Sequence, residues 1–281
     1  DEGYTNETTV LFAKLGAAAI VDDAAITDSF VNLANVTSHV YVSSAELDGD
    51  AGEGTITGGT GTDTLYVYLT GDPAGPTGDD EVGDTVTAFE NIVIMDSPFG
   101  NTATALDLGA DFDDAATGLK NLTIDASALD LLDGAVLTVD ASDVAADATG
   151  FKKITFTGGA GPDSFTAGNN ADTINMGGGN DTVVGTAGAN VITLGDGVDS
   201  VTAGSGIENI DAGAGNDTIN IGANLTALDT IDGGDGTDIL TSTGNIASAT
   251  ILGGVSNVET LTPTGNADAI TLGANVSMKN F

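Results

Sequence analysis

Acidic side chains recur at a fixed interval in this chain: Asp163, Asp172, Asp181, Asn190, Asp199, Glu208 and Asp217 follow one another every nine residues. Two further acids, Asp63 and Asp238, sit in the same local setting, G-G-x-G-x-D, outside that run. Carboxylates surrounded by glycine turns offer only oxygen donors, from side chains and from backbone carbonyls freed by the missing Cβ. Such a donor set suits a hard divalent cation, calcium before zinc or copper. Several calcium ions are therefore the expected cofactor, with these nine residues as ligands.

The elements that must position them are legible in the same units. Between Gly158 and Asn220 every unit carries an apolar eighth place: Phe165, Ile174, Val183, Ile192, Val201, Ile210 and Ile219. The last four residues of each unit alternate outward and inward, which predicts a short strand with one apolar side chain inside. Two strands and two turns make one coil of eighteen residues, so acids eighteen apart stack on one edge, about 4.8 Å from rung to rung. One edge receives Asp163, Asp181, Asp199 and Asp217; the other receives Asp172, Asn190 and Glu208. The first edge is expected to hold the better ions. Without metal, neighbouring carboxylates would repel by roughly 3 kcal/mol at an effective dielectric near 20. Three such contacts rival the whole net stability of a domain, about 5 to 15 kcal/mol.

The template G-G-x-G-x-D-x-U-x, complete at Gly58–Tyr66 and Gly233–Thr241, resembles the nonapeptide of repeats-in-toxin proteins and of calcium-dependent bacterial surface-layer proteins. The resemblance implies an all-β chain: a parallel, right-handed β-solenoid in which a calcium β-roll of stacked nonapeptide coils joins a β-helical middle section without nonapeptides. It also implies an extracellular or cell-surface location, type I secretion through a C-terminal signal, and self-assembly in a lattice or filament, or service in an adhesin.

Composition narrows the partners. The chain has 281 residues, five Lys, no Arg and 42 Asp and Glu, for a formal charge of −37. That field excludes a nucleic-acid or anionic-membrane surface. The apolar fraction of 41% and the regular Val and Ile argue for a folded chain whose charge ions neutralise, rather than for disorder. Cysteine is absent, which removes disulfides and thiolate metal sites. No apolar run reaches the length of a membrane span, and residues 1–20 lack a basic segment before an apolar core. The chain begins without Met and is expected to be a mature or excised piece of something longer.

Four parts are expected. Residues 1–45 form an end cap or an assembly segment, with strands around Val10–Phe12 and His39–Val42 preferred over a helix in Thr8–Val21. Residues 46–157 form a solenoid with one nonapeptide pair and 15-residue coils, since Leu122–Ser127 and Leu137–Ser142 nearly repeat each other. Single helical turns capped by Ser127 and Ser142 are expected there, with Asp125 and Asp140 as turn residues rather than ligands. Residues 158–241 form the calcium β-roll, and 242–281 the closing coils.

A phrase recurs across these parts: Phe89-Glu90-Asn91-Ile92, Leu119-Lys120-Asn121-Leu122, Phe151-Lys152-Lys153-Ile154, Ile207-Glu208-Asn209-Ile210 and Val258-Glu259-Thr260-Leu261. It is expected to bring apolar residues inward on both sides of a polar pair. Similar phrases punctuate the surface-layer relatives.

Catalytic groups are scarce. His39 is the sole histidine, no Arg is present to hold an anionic sugar, and no Trp offers a stacking platform, so no enzyme activity is expected. Outward residues such as Thr173, Thr182, Ser200, Thr202 and Thr218 make a flat polar face that suits a cell-surface polysaccharide or ice. The plainer reading is that exposed strand positions favour β-branched polar residues. The leading expectation is a calcium-stabilised structural protein of the bacterial exterior, a surface-layer or filament subunit. A spacer or ligand-binding segment of a secreted adhesin is the alternative, and a polysaccharide-acting enzyme comes last.

Overall fold

A strand that buries one or two side chains cannot hold itself, so each coil depends on the coils above and below it. A computed structural model shows that stack; it describes residues 9–10, 31–32, 39–43, 56–57, 64–68, 86–87, 90–95, 104–107, 121–129, 136–142, 153–244 and 251–263. All strand pairing is parallel, and the chain is a β-solenoid. One sheet has eleven strands: Thr9–Val10, His39–Ser43, Thr64–Tyr68, Asn91–Met95, Asn121–Asp125, Lys153–Thr157, Thr173–Asn175, Val191–Thr193, Asn209–Asp211, Thr230–Asp232 and Val255–Ser256. The facing sheet has eight: Thr104–Asp107, Leu137–Asp140, Asp163–Thr166, Thr182–Val184, Ser200–Thr202, Thr218–Gly222, Ile239–Ser242 and Thr260–Pro263. Strands of the roll alternate between these two sheets, as a coil of two strands and two turns requires, while Ala214–Gly215 and Asp235–Gly236 pair with each other in the turns. Pairing crosses residues 45, 157 and 241 without a break.

Register turns the stack into columns. In the eleven-stranded sheet Ile124, Phe156, Ile174, Ile192, Ile210, Ile231 and Val255 lie over one another. In the facing sheet Leu106, Val139, Phe165, Val183, Val201, Ile219, Leu240 and Leu261 do the same. Every one of these side chains is buried. Phe156 and Phe165 stack across the interior with ring centroids 4.4 Å apart, at the level where the middle section meets the first nonapeptide.

Coil length separates the regions. Within the roll, partners are eighteen apart, as Thr173 and Val191 are. In the middle section Leu122 pairs with Ile154 and Thr104 with Leu137, intervals of 32 and 33. The 15-residue repeat is therefore half a coil: Leu122 and Leu137 lie in different sheets, so their similar sentences mark two faces rather than two rungs. The single helical turns expected over 128–132 and 143–147 lie, past Leu129, outside the described residues. Asp125 Oδ1 accepts from Ser127 N at 3.0 Å and Asp140 Oδ1 from Ser142 N at 2.9 Å, so both aspartates act as turn residues.

The recurring phrases stack only in part: the phrases ending at Leu122 and Ile154 lie over each other, and the one ending at Ile92 does not join them. Ile92 lies over Ile124, whereas Leu122 lies over Ile154, one inward place earlier. Nor do both apolar members always face in: Val258 is buried, but Ile207 is 47% exposed. Glu208 points inward, and strand alternation puts its neighbour outside. Three extra residues between Asn220 and Thr230 lengthen that coil to 21, the interval from Asn209 to Thr230 and from Asp217 to Asp238, without losing the column. Among the described residues no helix is long and apolar enough to cross a membrane.

Candidate calcium site

The acids occupy the first of three inward columns in each sheet. In the facing sheet that column reads Leu137, Asp163, Asp181, Asp199, Asp217, Asp238 and Glu259; in the eleven-stranded sheet it reads Leu122, Ile154, Asp172, Asn190, Glu208 and Asp229. Each acid of the roll itself is at most 2% exposed. Of the nine expected ligands, eight are thus placed in two ladders, while Asp63 lies outside the described residues.

One oxygen of each rung is anchored and the other is not. The backbone N–H groups of Asp163, Asp181, Asp199 and Asp217 donate at 2.8 Å to Oδ1 of Asp181, Asp199, Asp217 and Asp238 in turn. The second oxygen, Oδ2, of those four acceptors has no hydrogen-bond partner although it is buried. Asp163, which begins the ladder, uses Oδ2 to accept from Gly159 N at 2.8 Å and leaves Oδ1 without one. A buried unpaired carboxylate oxygen carries a desolvation cost that a cation would remove. The first edge therefore presents five successive orphan oxygens.

The second edge is built differently. Asp172 and Glu208 each keep an orphan oxygen, but Asn190 stands between them. The Asn190 amide accepts from Asp172 N at 3.0 Å and donates to the Ala187 carbonyl at 3.4 Å, so it has no second, unpaired oxygen to offer and no charge. Asp229 spends both oxygens, on Glu208 N at 2.8 Å and Thr226 N at 2.6 Å. Turn carbonyls are consumed as well: the Thr186 hydroxyl donates to Gly168 O, and Asn224 Nδ2 to Gly204 O at 2.8 Å.

Burial is the leading cause of raised carboxyl pKa values along both ladders. It lifts Asp163 and Asp172 to about 6, with backbone hydrogen bonds opposing the rise. Asp181 rises to about 7, through burial first and the charges of Asp163 and Asp199 after it. Asp199, Glu208, Asp217 and Asp238 are raised for the same first reason. Mutual repulsion, the penalty expected from spacing alone, is thus the smaller one, because a backbone N–H separates each rung from the next.

The turns bring carbonyls close to these acids. Gly179 has φ of 131°, and a Cβ there would strike the carbonyl of Gly161 in the neighbouring coil. A Cβ on Gly158 would strike the Met176 carbonyl and lie 2.6 Å from Asp163 Oδ2. Among the described residues no three acidic or imidazole side chains converge on one point, so further ligands at each gap would be backbone carbonyls. Orphan oxygens, crowded carbonyls and an absence of sulfur or nitrogen donors fit calcium.

Two ladder members escape the nonapeptide pattern, Asp229 and Glu259. The three-residue slip hides Asp229, yet Asp229-Thr230-Ile231-Asp232 mirrors Glu208-Asn209-Ile210-Asp211. The usable signal is an acid two places before an inward Ile or Leu, which also finds Glu259.

The fold and ladders define a parallel β-solenoid whose edges are built to take cations. The family model of the RTX calcium-binding nonapeptide repeat matches residues 47–67, 155–183, 177–207, 202–220 and 228–245, and these segments are RTX repeats. RTX nonapeptide repeats bind calcium, and proteins that carry them are typically secreted and bind it outside the cell. No curated protein and no solved structure matches the chain.

Proposed function

We propose that this chain is a calcium-stabilised structural protein of the bacterial exterior that assembles with copies of itself, as a surface-layer or filament subunit. The observation that carries the reading is the first edge, where Asp163, Asp181, Asp199, Asp217 and Asp238 each bury an oxygen without a partner. Calcium between successive rungs would be held by these carboxylates and by glycine-turn carbonyls, and its charge would offset their burial. Outside the cell calcium is abundant enough to make folding conditional on export. Asp172 and Glu208 are weaker candidate ligands, Asn190 weaker still, and Asp63 joins them through the repeat it belongs to.

A structural rather than catalytic role is part of the proposal, supported by the near absence of His, Arg and Trp. Self-assembly is supported by the mixture of nonapeptide coils with coils carrying the Glu-Asn-Ile type of phrase. Electron microscopy and light scattering at millimolar calcium test it: ordered multimers that chelator disperses are expected. A chain that stays monomeric at high concentration would instead be an adhesin spacer, and the assembly reading would fail.

A further inference from the structure

The first ladder does not stop where the nonapeptides stop. We infer that Asp238, Glu259 and the Asn257 carbonyl form a closing calcium site, built by a segment outside the repeat pattern. The inference rests on the reading of the ladders as calcium sites.

Three observations carry it. Asp238 is fully buried, and its Oδ2 has no hydrogen-bond partner. Its backbone N–H donates to Glu259 Oε2 at 2.9 Å, the same bond that Asp217 N makes to Asp238 Oδ1 one coil earlier. Glu259 thus occupies the next rung, although Val255-Ser256-Asn257-Val258-Glu259 contains no G-G-x-G-x-D turn.

The third observation is the carbonyl. A Cβ on Gly233 would strike Asn257 O and lie 2.9 Å from Asp238 Oδ2, so both oxygens flank the space that glycine leaves open. At the first rung the corresponding pair is the Met176 carbonyl and the Asp163 carboxylate around Gly158. Asn257 reaches this place with φ of 50°, and it is the one non-glycine residue in the left-handed region among those described. Asp232 fixes it there, accepting from Asn257 Nδ2 at 2.7 Å and from Gly234 N at 3.2 Å. A backbone held in a sparsely populated conformation by its surroundings is a mark of function. Here the strained residue aims a carbonyl at an orphan carboxylate.

The test is the number of calcium ions bound per full-length chain, measured by equilibrium dialysis with metal analysis. Glu259→Gln keeps an acceptor for Asp238 N–H and removes only the charge, so a merely structural role would survive it. The expected result is one ion fewer than in the unaltered protein, with circular dichroism in saturating calcium unchanged. Asn257→Gly, which tolerates the same φ and keeps the carbonyl, should retain the full count. An unchanged count and affinity in Glu259→Gln would overturn the inference while leaving the ladder reading intact. An unaltered protein that binds no calcium would overturn both.

Discussion

Coils between residues 121 and 157 and the roll at 158–241 share three inward columns per sheet but fill the first with opposite chemistry. Leu122, Ile154 and Leu137 take that place in the middle section, and Asp172, Asp163 and their successors take it in the roll. The second column is apolar throughout. Each buried Leu or Ile contributes about 1.5 to 3 kcal/mol toward folding, whereas each buried carboxylate opposes folding until an ion arrives. On the proposed function, one backbone scheme yields a region that closes by itself and a region that closes on calcium. The Phe156–Phe165 stack marks the change of regime.

Exchanging the chemistries should break this comparison most severely. Leu137→Asp removes a fully buried side chain and sets a buried carboxylate against Asp163. A loss of roughly 3 kcal/mol or more is expected in urea unfolding, even in saturating calcium. Next in size, Asp181→Asn keeps an acceptor for Asp163 N–H but removes charge from two gaps at once. The calcium midpoint for folding should rise about tenfold, or about 1.4 kcal/mol, as followed by circular dichroism.

Acidity sharpens the same contrast. Because folded carboxyls at Asp163, Asp172 and Asp181 sit at about 6 to 7, above the ordinary value of 3.8, the metal-free roll binds protons more tightly than the unfolded chain. Its stability is fully supported below about pH 4 and falls as pH rises through 6 to 7. Calcium must displace those protons, so its apparent affinity should climb between about pH 5.5 and 7.5. Calorimetric titration in buffers of different ionisation enthalpy reads the released protons, and a pH-independent affinity would contradict the assignment. The smallest effect is expected from Asn190→Asp, which supplies the oxygen missing between Asp172 and Glu208. Calcium uptake on the second edge should rise, and metal-free stability should fall slightly.

Legibility in the sequence followed the periodicity. The roll, its eighteen-residue coil and the pairing of Asp163 with Asp181 are consequences of a strict nine-residue beat, so counting suffices. Asp229 and Glu259 were hidden because a three-residue insertion and a shortened turn shift the beat without shifting the stack. The middle section misled in another way. Leu122 and Leu137 repeat a sentence because two sheets ask for the same burial pattern, and nothing in a single strand says which sheet it joins. The unbroken run of Asp on the first edge was legible in the sequence, but the side-chain hydrogen bonds to the Gly168 and Gly204 carbonyls on the second appear only in three dimensions.

Hydrogen–deuterium exchange with and without chelator, read at Ser200–Thr202 and Asn209–Asp211 against Asn121–Asp125, tests the division of the chain most directly. Chelation should strip protection from the two roll strands while Asn121–Asp125 keeps most of its own. Equal protection of both regions in the presence and absence of calcium would contradict it.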